Sequence, residues 1–406
     1  MSLSRTAVLP ALKELYTEGE DRDLVFKSHS LLGMTRRNRK MQGRYFHLPI
    51  QYGKPQGRSH SLTTAGTNEY ASKYTAFDVT PVSDYVVAKV DGIVVRQAMN
   101  GGAAEMFLDL MKNEMDGSLS TLGDNVAREQ YGTFGGARAQ VHATTAISTT
   151  SLTLANPEDT FFFEVGMKIC ASATDGTSGS LRDSGDFITI TAVNRDTGVL
   201  TGDGNWSGIS GIANGDYLFV QGDFGAAASG LGSWCPSSAP GSTLFFGVDR
   251  SADVERLGGI RYDGANETQE TVYIKAMARV QRTKANIKYI YTNPINIAAL
   301  EVSKEGQKFI TSDNEYKIGY KGFSIGGIDI IPDNDCPVNV AYGIDPSAWL
   351  WCTNGDAPSL NDADGIEFLK LGSSVGDTFE IQGVIDHNFG STAPGKLLRI
   401  ALPTAG

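Results

Sequence analysis

Residues 34–60 read MTRRNRKMQGRYFHLPIQYGKPQGRSH, and they contain seven Lys and Arg side chains but no Asp or Glu. The whole chain of 406 residues has 35 Lys and Arg against 46 Asp and Glu, which gives a net charge of −11. Basic charge is therefore concentrated in one short segment of an acidic protein. The residues of this basic strip are Arg36, Arg37, Arg39, Lys40, Arg44, Lys54 and Arg58.

Two extended arms joined by a polar tip are predicted within and after the basic strip. The stretch RYFHLPIQYG at 44–53 is extended, and Pro49 restricts such a strand to a sheet edge or a free-standing hairpin. Residues 54–75 are polar, and the alternating run at 76–99 predicts one or two strands that return from the tip. Because a two-stranded hairpin is not stable alone in water, we expect it to bind a surface of its own chain or of a neighbouring copy.

Three helices are predicted from the sequence. Apolar residues at three- and four-residue steps predict a long helix over 103–130, and a short helix is expected at 9–18. A capping box at Asn266 and Gln269 predicts the start of another helix.

Between 138 and 223 the sequence consists of short β runs separated by Gly, Asn and Asp, including a hairpin with its turn at 194–198. We interpret this stretch as a small β-barrel or sandwich inserted into the main fold. Further strands are predicted within 314–352 and 366–401. The chain is therefore expected to have a mixed α+β fold.

The sequence contains none of the common motifs of catalysis or cofactor binding. It has no Walker A motif, no GxGxxG after a strand and no GxSxG, and its five histidines share no metal-ligand spacing. No apolar run of about 18 residues predicts a membrane span, and the first residues do not resemble a secretory signal. We expect no enzymatic activity, no cofactor, no metal and no membrane contact. Buried free thiols of a reducing cytoplasm are predicted at Cys170, Cys235, Cys336 and Cys352.

Three explanations are open for the basic strip. Its charges could pair with an acidic surface of another copy, neutralise nucleic-acid phosphates, or form a solvated face that contributes little. The strip adjoins a hairpin that needs a partner, and the remainder of the chain is acidic, so contact between copies is favoured. All seven residues of the basic strip are therefore candidate intersubunit contacts.

The order of these segments resembles the major capsid proteins of tailed bacteriophages, which have the HK97 fold. YFHLPIQYGKPQGRS looks like the first strand of that family's extended loop, and DYVVAKVDGIVVRQAM looks like its return. AAEMFLDLMKNEMDGSLSTLGDNVAREQYG resembles the spine helix of the peripheral domain. VGMKI followed by ITAVNRDTGVLT and GDYLFVQGD is similar to an inserted β module, and IDIIPDNDCPVNVAYGIDPSAWLW resembles part of the axial domain.

The resemblance implies an HK97-like α+β capsid fold in six parts. They are an N-terminal arm at 1–40, an extended β-hairpin loop at 41–100, a spine helix at 101–137, an inserted β-barrel-like domain at 138–223, a peripheral and axial α/β domain at 224–365, and C-terminal strands at 366–406 that return to the peripheral domain.

The resemblance also implies a function. Members of the family form hexamers and pentamers and assemble into an icosahedral capsid around double-stranded DNA. The expected partners are further copies of the chain, scaffolding, portal and decoration proteins, and packaged DNA bound non-specifically. The expected location is the virion capsid, after assembly in the cytoplasm of a bacterial host. Two alternatives stay open, namely a non-viral encapsulin-like shell of the same fold and a β-rich adhesin or glycan-binding protein.

Overall fold

The computed structural model describes residues 29–41, 43–91, 104–305, 323–325, 327–355, 358–360, 369–370 and 378–404. These residues form a mixed α+β fold with several sheets, as expected. The chain divides into two compact units, each assembled from three stretches of sequence. The first unit takes its described residues from 1–46, 80–128 and 351–388, and the second from 47–79, 129–350 and 389–406.

The elements alternate between short strands and a few helices. The helices are α1 (Ser30–Met34), α2 (Leu62–Thr67), α3 (Ala104–Tyr131), α4 (Leu231–Trp234), α5 (Gln269–Thr283) and α6 (Pro294–Glu305). The strands are β1 (Arg36–Asn38), β2 (Phe46–Gly53), β3 (Lys73–Val79), β4 (Val82–Asp91), β5 (Ala139–Gln140), β6 (Ser151–Thr153), β7 (Lys168–Ser172), β8 (Ile188–Asn194), β9 (Val199–Gly202), β10 (Tyr217–Val220), β11 (Leu244–Phe245), β12 (Val248–Asp249), β13 (Ile260–Asp263), β14 (Tyr289–Thr292), β15 (Phe323–Ile325), β16 (Ile328–Pro332), β17 (Val340–Ile344), β18 (Trp349–Thr353), β19 (Ser359–Leu360), β20 (Leu369–Lys370), β21 (Thr378–Ser391) and β22 (Leu397–Ala401).

The first unit is built on a sheet of order β1-β18-β21-β19, in which β4 and β20 also pair with β21. The β4–β21 ladder is antiparallel and joins residues that are far apart in the chain, from Thr378 opposite Asp91 to His387 opposite Val82. The ladder pairs β21, near the end of the chain, with β4, near its start. Its backbone hydrogen bonds hold the first unit together.

Helix α3 confirms the long helix that apolar periodicity predicts. It has 28 residues, which corresponds to about 42 Å, and it ends directly before Gly132. Within its described side chains, Leu119, Leu122 and Val126 are buried as their spacing requires. Asn125 donates a 2.6 Å hydrogen bond from Nδ2 to Oδ2 of Asp84 in β4, which ties the helix to the sheet of the first unit.

The stretch between 139 and 220 forms a six-stranded antiparallel sheet of order β5-β10-β7-β8-β9-β6. A bridge between Val141 and Leu154 connects its two edges, so the sheet curls into a small barrel. Phe163, Leu200 and Trp206 are fully buried in its interior. The predicted hairpin is confirmed, because β8 and β9 pair across the residues between Asn194 and Val199.

A second six-stranded sheet, of order β13-β22-β17-β14-β16-β15, forms the main body of the second unit. Helices α5 and α6 contribute apolar side chains to the same core, where Val272, Tyr273 and Leu300 are fully buried beside Ile290 and Ile400. The pairs β13–β22 and β14–β16 are parallel and the others are antiparallel.

Two sequence expectations differ from the structure. The N-cap of α5 is Thr268, not Asn266, and Thr268 makes no side-chain cap bond. Gln269 cannot complete a capping box because its side chain is buried and donates to the carbonyl oxygen of Pro403. The hairpin also returns through β3 alone, whereas β4 pairs with β21, since Pro81 has no N–H to continue a ladder.

The predicted helix at 9–18 lies outside the described residues. In the described part of the chain, no helix has the length and apolar character that crossing a membrane requires.

Candidate assembly surface

The base of the β2–β3 hairpin is anchored in the second unit by an aromatic cluster. In β2, Phe46, Leu48 and Ile50 are buried while the residues between them are exposed, so the strand presents one apolar face. Phe77 in β3 lies 4.9 Å from Trp234 between ring centroids. The rest of the cluster consists of Phe245, Phe246, Trp349 and Phe389, with Trp349 and Phe389 stacked at 5.9 Å.

The outer half of the hairpin has no such support from the described residues. No residue between 51 and 76 is buried, and α2 at the tip has no buried side chain. Leu62 is 91% exposed, Tyr74 69% and Tyr70 55%. Exposed apolar side chains grouped on such an arm are typical of an interaction surface.

The structure distributes the basic strip over both units. Arg36 and Arg37 lie in β1, Lys54 directly follows β2, and Arg58 precedes α2. All of the strip except Arg37 is exposed. Arg36, Arg37, Arg39, Lys40 and Arg44 belong to the first unit, and Lys54 and Arg58 belong to the second.

Arg37 already has a partner in its own chain. Its guanidinium lies 4.8 Å from the centre of the Trp351 ring in β18, an arrangement that favours a cation–π interaction. β1 is the edge strand of its sheet, and charged side chains on an edge strand prevent unwanted pairing with other strands. The positions of Arg36 and Arg37 in β1 are consistent with such protection.

The remaining strip residues leave charge available for contacts with other molecules. Among the described residues, the side chains of Arg36, Lys40, Arg44, Lys54 and Arg58 form no ion pair. Their role as intersubunit contacts stays a prediction.

The polar chemistry of the described residues gives no candidate catalytic centre. No group of three or more His, Cys, Asp or Glu in the described ranges could hold a metal ion. All four cysteines are buried and free, as predicted. Burial raises the pKa of Cys235 to about 11 and that of Cys352 to about 12, so both thiols stay protonated and unreactive at neutral pH.

Sequence reasoning missed a second basic feature, a groove in the second unit lined by Lys54, Arg256, Arg279, Arg282 and Lys284. These residues come from three separated segments, so no local run of charge reveals them. The only local signal is the spacing of Arg279, Arg282 and Lys284 at the end of α5, which places Arg279 and Arg282 on one helix face.

No family model and no curated protein matches the chain. Several solved structures are similar to it. The capsid asymmetric unit of cyanophage A-1(L) is 9% identical, with a TM-score of 0.49 over 91% of each chain. The capsid of a native GTA particle is 9% identical, with a TM-score of 0.48 over 92% of this chain and 90% of that one. The holo-SrpI encapsulin complex of Synechococcus elongatus is 7% identical, with a TM-score of 0.46 over 100% of this chain and 97% of that one.

Proposed function

We propose that the chain is the structural subunit of an HK97-fold bacteriophage capsid, which self-assembles as hexamers and pentamers into an icosahedral shell around double-stranded DNA. The observation that carries this proposal is the β2–β3 hairpin. Its base is packed on its own unit, whereas its outer half, 51–76, contains no buried residue.

An arm of this kind needs a partner surface for physical reasons. Fixing the backbone costs roughly 1–2 kcal/mol per residue, and neither a two-stranded hairpin nor a six-residue helix offsets that cost alone. Contact of Leu62, Tyr70 and Tyr74 with a neighbouring copy would supply the missing apolar burial. Because donor arm and acceptor surface differ, the contact is heterologous. Repeated heterologous contacts close into a ring when the rotation between neighbouring copies closes.

The order of the described elements also supports the proposal. A basic edge strand, a projecting hairpin, a 28-residue helix, a small barrel and an α/β body follow one another, and β21 then returns to pair with β4. This is the order that the resemblance to phage capsid proteins implies. The net charge of −11 suits a container for DNA, since a predominantly acidic wall does not bind its contents tightly.

The hairpin contact is tested by Leu62→Ser, with Val165→Ser as the matched control. Both residues are exposed apolar side chains, at 91% and 64%, but Val165 lies in the barrel, away from the hairpin. We expect wild type and Val165→Ser to form particles in electron micrographs, and Leu62→Ser to reduce the particle yield at least tenfold. The free energy of unfolding should change by less than about 0.5 kcal/mol in both variants, because neither side chain is packed.

Normal particles from Leu62→Ser would remove the role that we assign to the hairpin tip.

In the same assay, the double variant Arg36→Glu with Lys40→Glu tests the basic strip, and it leaves Arg37 on Trp351 undisturbed. Loss of particles with an unchanged circular dichroism spectrum is expected, and particles of normal yield would exclude these two residues as intersubunit contacts.

A further inference from the structure

The basic groove lies entirely within the second unit, beside the start of the exposed part of the hairpin. It has a volume of about 1300 Å³, and its walls are residues 51–54, the turn around 253–256, the last turn of α5 and Gly395. Arg256 donates from Nη1 to the carbonyl oxygen of Tyr52 at 2.5 Å, so the hairpin strand is fixed to the groove wall.

The charge lining the groove is unbalanced. Five cationic side chains face two carboxylates, Asp253 and Glu255. Glu255 Oε1 accepts from Arg279 Nη2 at 3.0 Å, and Asp253 Oδ2 lies 3.6 Å from Arg256 Nε. Lys54, Arg282 and Lys284 have no acidic partner among the described residues, so the groove has a surplus of three positive charges.

Two of the three surplus charges lie at the hydrogen-bonded end of α5. Arg282 is in the last turn of α5, and Lys284 ends that helix with a left-handed backbone at φ +57°. Its backbone N–H donates to the carbonyl oxygens of Val280 and Gln281, which closes the helix. All three side chains are exposed, so an anionic ligand can reach them without rearrangement of the wall.

The chain itself contains a segment of matching charge. Residues 18–23 read EGEDRD, with four carboxylates and one arginine, which gives a net charge of −3 against +3 in the groove. Six extended residues span about 20 Å, so several carboxylates of such a run can contact different cations of one groove. This run precedes His29 and lies outside the described residues.

We propose that the groove binds the acidic run 18–23 of a second copy of this chain. The choice of a second copy rests on the proposed function, because a shell subunit meets identical copies at high local concentration. An acidic peptide is favoured over a smaller anion because the surplus cations come from two separate walls, Lys54 from the hairpin and Arg282 with Lys284 from the end of α5. The contact would give each subunit boundary a charge-specific register.

Carbodiimide cross-linking tests the proposal, since it condenses a carboxylate with an adjacent lysine amine to an amide with loss of water. The full chain is prepared with ¹⁴N and with ¹⁵N, mixed before assembly, cross-linked and analysed by mass spectrometry. We expect cross-links from 18–23 to Lys54 or Lys284 in peptide pairs of mixed isotope. Lys168 is the matched control, because it is exposed in the same unit but lies outside the groove, and it should not cross-link to 18–23.

A pair of variants separates charge recognition from accidental proximity. Arg282→Gln should lower the yield of cross-links between 18–23 and Lys54 at least fivefold, whereas Lys168→Gln should leave it unchanged. Arg282→Glu combined with Asp21→Arg should restore the yield lost in Arg282→Glu alone. Restoration also shows that the Arg282 variants fold.

The other outcomes of the cross-linking experiment distinguish failure of the groove proposal from failure of the proposed shell. Particles that assemble without cross-links to the groove would overturn this inference and leave the proposed shell intact. Mixed-isotope cross-links without any particles would support the groove and contradict the shell. Cross-links confined to one isotope would place the run in its own chain and overturn the second copy. Binding of a short labelled oligonucleotide that Arg282→Gln abolishes, in the absence of cross-links, would assign the groove to nucleic acid instead.

Discussion

At the scale of single residues, His387 is the clearest buried titratable group. Its side chain is fully buried in β21, and its ring lies 6.3 Å from that of Trp351 at a steep angle. Burial lowers its pKa to about 4, although Asp84 and Asp386 act in the opposite direction. The imidazole is therefore neutral in the folded protein at any pH at which the chain is expected to work.

This burial predicts a loss of stability in mild acid. An unfolded histidine has a pKa of about 6.5, so between roughly pH 6.5 and pH 4 the unfolded state takes up a proton that the folded state does not. The free energy of unfolding should then fall with decreasing pH, by up to about 1.4 kcal/mol per unit from this group. Urea unfolding of wild type, His387→Gln and the exposed control His60→Gln measures the slope.

We expect His387→Gln to lose part of the wild-type slope in this window, and His60→Gln to retain it. Equal slopes in all three proteins would show that His387 does not titrate differently on folding. The absolute stability of His387→Gln does not enter the comparison, because the readout is the dependence on pH.

The basic strip shows how far residue-level prediction from sequence reaches. Six of its seven residues are exposed in the structure, but the intersubunit contacts that the sequence predicts for them stay a prediction. The concentration of charge could not indicate that Arg37 packs on Trp351, because that contact depends on strand pairing between distant parts of the chain.

At the scale of elements, the barrel formed by 139–220 begins and ends at adjacent strands. Ala139 in β5 is paired with Leu218 in β10, and the backbone N–H of Arg138 donates to the carbonyl oxygen of Leu218 at 2.9 Å. The barrel also has its own core. An element with adjoining ends and a separate core can be removed without leaving a gap in the rest of the fold.

Deletion of 140–222 with rejoined ends is therefore expected to leave the remaining fold intact. The α-helical circular dichroism signal should persist, with a stability loss of about 1–2 kcal/mol. The loss is expected because the deletion removes a close backbone contact between the barrel and the rest of the second unit. Gly135 lies so near the barrel that a Cβ at this position would be 2.0 Å from the carbonyl oxygen of Asp175. Global unfolding of the deletion variant would mean that the barrel is an integral part of the second unit.

Sequence periodicity predicted elements better than it predicted their partners. α3 and the β8–β9 hairpin follow from local patterns of apolar residues and turns. The same reasoning extended the hairpin through β4, because the alternation of that strand is equally compatible with pairing to β2 or to β21. The local sequence signal that distinguishes pairing with β2 from pairing with β21 is Pro81, which has no N–H to continue the β2–β3 ladder into β4.

At the scale of the whole molecule, opposite charges are concentrated in different parts of one chain. The stretch 138–223 has ten acidic and four basic residues, whereas the strip at 34–60 has only basic charge. The groove adds basic charge from segments that are distant in sequence, and for that reason no linear pattern could reveal it. Such sorted charge suits repeated contacts between identical copies.

The proposed function requires that the exposed hairpin of each chain is covered in a closed assembly of copies. Cryo-electron microscopy of the purified full-length protein tests this most directly. We expect closed particles built from hexamers and pentamers, in which the 51–76 arm of each subunit lies on a neighbour. Monodisperse single chains of 43.4 kDa at every concentration and salt condition, with the hairpin uncovered, would contradict it.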